Sequence, residues 1–204
     1  MANFKTYLID GVKYPRVTQI IKCTKDDASE KKMLRWMHKM YSLTPSKKKP
    51  QQDQMQRGTA LHKDIELFLK YNSLPNPFSN DFKKILPYLV NIYSPIIIAV
   101  EKSVISKSLK YAGTMDALAV DKGLMIIDWV TSYRFKKKEW VRHKFLQATA
   151  YAIAYEEMTG NPIEKLRVVS ISHKVQEFTD FPQNFQDEWL TRLDKFHKVY
   201  QEFQ

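Results

Sequence analysis

Asp116 and Asp128 stand at equal distances, six residues each, from Lys122 in the tripeptide Asp121-Lys122-Gly123. Residues 109–120 and 124–130 on either side are β-like and apolar. A three-residue loop with glycine last fits a type I turn closed by a G1 bulge. A hairpin about Lys122 makes the two aspartates near cross-strand neighbours, with Cβ atoms about 4.5–5.5 Å apart. Each carboxylate then raises the cost of ionising the other, and Asp128 also follows the apolar run Met125-Ile126-Ile127. A shared proton, a nearby cation or a bound metal must compensate. Oxygen donors in a basic protein favour Mg²⁺ or Mn²⁺. Two solvated hairpin aspartates are the plain alternative.

The rest of the chain supplies a frame for that hairpin. Residues 4–9 and 12–17 flank Asp10-Gly11, a hairpin turn signal. Thr18 is placed to cap a short helix over 19–23. Apolar spacing predicts a helix over 29–42, with Met33, Trp36, Met37 and Met40 on one face. Residues 44–56 read as a polar linker, and 59–71 as a helix buried through Leu61, Ile65 and Phe68. A short helix near 80–90 precedes three strands over 96–105, 109–120 and 124–130. A long helix over 140–159 ends at Gly160-Asn161-Pro162. A strand over 166–172 and an amphipathic helix over 185–203 complete the order. The fold class is α/β or α+β, with a mixed central β-sheet flanked by helices. Residues 1–57 are expected to form an N-terminal hairpin and helical lobe, and 58–204 the core.

The 204 residues carry 33 basic and 22 acidic side chains, a formal charge of +11. That excess suits a polyanion, most simply nucleic acid, with an anionic membrane surface as the competing partner. Of the basic residues 26 are lysine and 7 arginine, which favours phosphate contact over bidentate reading of bases. Cys23 is the single cysteine, so there is neither an intrachain disulfide nor a thiolate zinc cluster. A cytoplasmic, reducing setting is the expectation, in a bacterial or phage-infected cell. No apolar run reaches the ~18 residues of a membrane span, and no signal or transit segment is evident.

Several short motifs share one order. They are Gly58-Thr59-x-x-His62, Gly113-Thr114-Met115-Asp116, Asp128-Trp129-Val130-Thr131-Ser132 and Gln147-x-x-x-Tyr151, preceded by Tyr14-Pro15-Arg16-Val17-Thr18-Gln19-Ile20-Ile21. Over roughly residues 14–160 the series resembles the RecB-like branch of the PD-(D/E)XK nuclease superfamily. Within it, the pattern is similar to the mitochondrial genome maintenance exonuclease and its phage and bacterial relatives. The resemblance implies a metal-dependent exonuclease that acts on single-stranded DNA ends, threaded under the N-terminal lobe as an arch. It implies His62, Asp116, Asp128 and the backbone carbonyl of Trp129 as metal ligands. Gln147 and Tyr151 would orient the site or the scissile phosphate. Glu66 and Glu101 are either outer carboxylates of the site or surface charges.

One position departs from the pattern. The motif places a lysine two residues after Asp128, and Val130 stands there. Strand alternation puts position 130 on the face of Asp128, where a lysine would orient the attacking water and stabilise charge on the phosphate. Valine does neither. Three readings follow: an inactive, engineered variant of an exonuclease; an active enzyme whose lysine has migrated to Lys144 or Lys102; and a non-catalytic single-stranded DNA-binding module. The first is the leading expectation. DNA contacts are expected from Ser132, Arg134, Lys136, Lys137 and Lys138, with Trp36, Tyr41 or Phe135 stacking on bases. The chain is expected to act as a monomer.

Overall fold

The computed structural model describes residues 6–25, 45–93 and 96–200, with the backbone alone for residues 45–55. The helix expected over 29–42, with Trp36 and Tyr41, lies outside these residues. The described chain opens on a hairpin, β1 (Thr6–Ile9) and β2 (Val12–Pro15). Ile9 pairs with Val12, and Asp10 and Gly11 both take positive φ, 51° and 77°. Those are the signs that a two-residue type I′ turn requires. Helix α1 (Val17–Cys23) follows directly. Its N-cap is Arg16 and no side chain caps it, so Thr18 lies inside the first turn.

Residues 45–56 of the expected linker over 44–56 are instead helical. Helix α2 (Pro45–Tyr71) starts at Pro45 and runs unbroken through residue 57. Proline suits a first helical position, and the Lys and Gln residues that made the stretch look like a linker are good helix formers. Leu61 and Ile65 are fully buried, as their spacing predicts. Helix α3 (Asn80–Tyr88) is capped by Ser79, whose hydroxyl accepts from the Phe82 N–H at 3.2 Å. It passes into one π-helical turn, Leu89–Tyr93.

The core is a five-stranded mixed sheet: β3 (Ile97–Ser106), β4 (Tyr111–Val120), β5 (Leu124–Thr131), β6 (Lys165–Ile171) and β7 (Val175–Asp180), ordered as numbered. Only β5 and β6 run parallel. The crossover between them carries α4 (Arg142–Thr159), entered through a 3₁₀ turn at Lys138–Val141. Gly160, at φ 73°, ends α4 in the left-handed conformation. Helix α5 (Gln186–Val199) closes the described chain. Strand β7 escapes sequence reading because Val-Gln-Glu-Phe-Thr-Asp is half-exposed along its length.

Two apolar layers sandwich the sheet, as the mixed α+β expectation requires. Tyr111, Met115, Leu118 and Ile126 pack on Phe145, Leu146 and Tyr151 of α4 and on Trp189, Leu193 and Phe196 of α5. On the other face Ile127, Trp129 and Ile171 pack on Leu61 and Ile65 of α2 and on Phe82 and Ile85 of α3. No helix among the described residues is long and apolar enough to cross a membrane.

Candidate metal centre and active site

Strands β4 and β5 pair from Val120↔Leu124 to Ala117↔Ile127. The ladder ends one step short of Asp116 and Asp128, the pair that symmetry about Lys122 predicts, and the Asp128 charge is close enough to act on Asp116. Both Lys122 and Gly123 take positive φ in the turn. Asp128 is almost fully buried, and the Asp116 side chain keeps only 12% of its exposure.

The two carboxylates then face different helices. Asp116 Oδ2 accepts the Trp129 backbone N–H at 2.9 Å and lies 3.5 Å from His62 Nδ1 on α2. His62 Nε2 is 2.9 Å from the Trp129 carbonyl oxygen, which only accepts, so Nε2 carries the proton. In the neutral ring the Nδ1 lone pair therefore points at a carboxylate oxygen, with no hydrogen between them. That geometry suits a cation.

Glu101 joins this group. One ligand atom each from His62, Glu101 and Asp116 lies within 4.8 Å of the others. Glu101 has φ 50° in the middle of β3, and the ladder is broken there, between Val100↔Ala117 and Lys102↔Met115. A non-glycine residue in that conformation is strained, and such strain gathers at functional positions. Burial first, and Glu66 among its neighbours, raises the Glu101 pKa, while His62 works the other way. Glu66 itself pairs with Lys70 at 2.7 Å on the same helix.

Asp128 turns to α4. Its Oδ1 accepts from Lys144 Nζ at 3.2 Å and from Gln147 Nε2 at 3.4 Å, and Lys144 Nζ lies 3.1 Å from Oδ2. Buried Oδ2 makes no hydrogen bond of its own. Burial works against the charge on Lys144, but Asp128 and Asp116 outweigh it and raise its pKa. Gln147 also donates to the Tyr151 hydroxyl at 3.0 Å. The Tyr151 pKa is raised by burial and by both aspartates. Burial and Asp128 push Asp116 up to about 7, against the pull of His62 and Lys144.

The glycine of Gly113-Thr114-Met115-Asp116 has a steric role. A Cβ at position 113 would overlap the Tyr151 ring, so the glycine lets α4 approach β4 closely. The N-terminal hairpin also reaches the centre, through a hydrogen bond of 3.0 Å between Tyr7 Oη and Thr114 Oγ1. Sequence reading missed Tyr7, because nothing local ties it to residues more than a hundred positions away.

The structure thus gathers His62, Asp116, Asp128, Lys144, Gln147 and Tyr151 at one place, promotes Glu101 into the cluster, and pairs Asp128 with a lysine rather than with His62. Val130 is half-buried against the apolar layer beneath α4. The Lys102 ammonium lies over the Tyr155 ring, 5.3 Å from its centroid. One residue expected to touch DNA, Ser132, is turned into the fold, and another, Lys138, is exposed but ion-paired. Ser132 is buried and its hydroxyl donates to the Arg134 carbonyl, while Lys138 pairs with Asp180 at 2.8 Å. Arg134 and Lys137 are exposed. Lys136 is half-buried, and burial and the Lys144 charge lower its pKa. Tyr133, Phe135 and Trp140 are exposed on the same loop, and Tyr133 stacks under Arg57 at 4.5 Å.

The donor set of imidazole nitrogen and carboxylate oxygens fits a hard divalent cation such as Mg²⁺ or Mn²⁺.

No protein-family model matches the chain, and no curated protein matches it. Among solved structures, a protein from Eubacterium rectale described as a candidate exonuclease aligns with TM-score 0.53 at 13% identity. The alignment covers 73% of this chain and 66% of that one, so the chain spans just under two thirds of its neighbour. A second structure, SSO0001, aligns over 64% of this chain and 70% of its own at 14% identity, with TM-score 0.35. The first likeness is one of fold: a five-stranded mixed sheet with helices on both faces.

Proposed function

We propose that the chain is a metal-dependent deoxyribonuclease of the PD-(D/E)XK, RecB-like kind, acting on single-stranded DNA ends. The observation that carries this reading is the convergence of His62, Glu101 and Asp116 beside an Asp128–Lys144 pair. In it, His62, Asp116 and Asp128 hold the ion, with Glu101 as a further oxygen donor and the Trp129 carbonyl within reach. A divalent ion bound there supplies Lewis acidity toward the phosphate and lowers the pKa of a coordinated water.

The chain's own groups do the rest. His62 fixes its ring through the Trp129 carbonyl. Gln147 bridges Asp128 and Tyr151 and keeps both oriented. Lys144 brings a fixed positive charge to the face of Asp128 where the motif lysine would project, and positions water against the phosphate and offsets the charge that builds there. Val130 leaves this work undone from the strand. The Lys144 ion pair favours a lysine supplied from α4 over inactivation at position 130. The exposed basic and aromatic loop over 133–140 matches a single strand, with phosphates on the lysines and bases on the rings.

The test is cleavage of end-labelled single-stranded DNA with Mg²⁺ or Mn²⁺. Cutting by the unaltered chain that Lys144→Ala abolishes supports this assignment. Cutting only by Val130→Lys returns the inactive reading. Binding without cutting by either form makes the chain a DNA-binding module.

A further inference from the structure

Beside the centre lies a cavity of ≈ 550 Å³ between α1, the start of α4 and α5. That is within the range of small-ligand sites, roughly 300–1,000 Å³. Gln147 lines it, and the same side chain lies 3.4 Å from Asp128, so cavity and centre share a wall. Ile21 and Leu146 give it an apolar surface, and its other walls carry four cationic side chains against two acidic ones.

These cations are held in place. Glu188 accepts from Arg142 and Arg192, and the Arg142 guanidinium lies over the Phe185 ring at 4.9 Å. Arg192 is fully engaged, because it also donates to the Thr24 carbonyl at 3.2 Å. Arg142 gives Glu188 one of its nitrogens, and Lys22 forms no ion pair among the described residues. Glu139 and Glu188 only partly offset Lys22, Lys25, Arg142 and Arg192. The first turn of α4 places Arg142 at this wall with no acidic residue and no side-chain cap, although a helix start disfavours cations. His143 beside it is kept neutral by burial, and Lys144 is paired with Asp128.

We propose that this cavity binds the phosphate of a terminal nucleotide, either a phosphorylated strand end or the mononucleotide released from it. Lys22 and Arg142 contact the phosphate, and Ile21 and Leu146 face the base or sugar. A strand anchored there enters the metal centre past Gln147, which makes the end of the strand, rather than its interior, the substrate. The inference rests on the nuclease reading and deepens it.

The test measures binding of one oligodeoxynucleotide in three forms, 5′-phosphorylated, 3′-phosphorylated and unphosphorylated, in EDTA so that nothing is cut. The expected result is that one phosphorylated form binds about tenfold more tightly than the unphosphorylated strand, as one added close charge pair allows. Lys22→Glu and Arg142→Ala abolish that preference, and Lys122→Glu, the same charge change in the distant β4–β5 turn, keeps it. Competition by a deoxynucleoside monophosphate assigns the site to product as well as strand end. Its absence confines the site to strand ends. Equal binding of all three forms, or a preference that survives both cavity variants, overturns the proposal. Cleavage in Mg²⁺ is scored separately. Cutting without an end-phosphate preference sinks only the cavity, and a preference without cutting sinks only the nuclease reading.

Discussion

Lys144 reaches from α4 to within 3.1 Å of Asp128 on β5 and places an ammonium beside the buried carboxylate. Strand position 130, where the related motif carries its lysine, is left to valine. On the proposed reading, α4 supplies the charge that the motif would carry on the strand.

Removing that charge tests its role. Lys144→Ala is expected to lower the single-turnover cleavage rate roughly 10²–10³-fold, the scale of one lost electrostatic contact to the transition state. Mn²⁺ binding, followed by calorimetry, is expected to persist, because His62, Glu101 and Asp116 are untouched. Loss of ion binding together with rate would make Lys144 a structural support.

Asp116 sets a pH dependence. Its folded-state pKa, about 7, lies above the ordinary carboxylate value of 3.8, because burial and Asp128 disfavour its charge. The folded protein therefore holds this proton longer than the unfolded chain does. The resulting stability is fully present below pH 3.8 and is lost as pH rises through about 7. Without metal, Tm is expected to fall over that window. Asp116→Asn should flatten the slope and raise stability at pH 8 by on the order of 2 kcal/mol, while abolishing metal binding. Melts at pH 5–8 decide it, and an unchanged slope in Asp116→Asn would assign the proton elsewhere.

Gly113→Ala is expected to cost about 1–3 kcal/mol, because the new methyl occupies the space of the Tyr151 ring. The displaced Tyr151 should loosen its hydrogen bond to Gln147 and slow cleavage as well. Denaturant unfolding with a cleavage assay reads both. A neutral variant would show that α4 is free to shift.

Phe135→Ala and Trp140→Ala remove exposed rings from the loop after β5. Each is expected to weaken single-stranded DNA binding by about 1–3 kcal/mol, and to leave binding of an abasic strand of equal charge unchanged. Equal losses on both strands would trace the effect to loop structure rather than to stacking.

What the sequence by itself determined is local and periodic. Asp10-Gly11 dictates its turn through positive φ, Gly160 ends α4 for the same reason, and the spacing about Lys122 carries the β4–β5 register as far as Ala117 against Ile127. Alternation and helical spacing likewise mark the five elements from residue 96 to 171. Tertiary structure alone decided which side chains meet across elements. Glu101 became part of the centre through one strained residue in β3, which no spacing reports. Lys144 became the partner of Asp128 because Gly113 lets α4 lie close to the sheet. Ser132 looks like a solvent-facing contact in sequence, yet the fold buries it against the Arg134 carbonyl. Periodicity says which face a residue occupies, whereas a charge's partner depends on how close the next element packs.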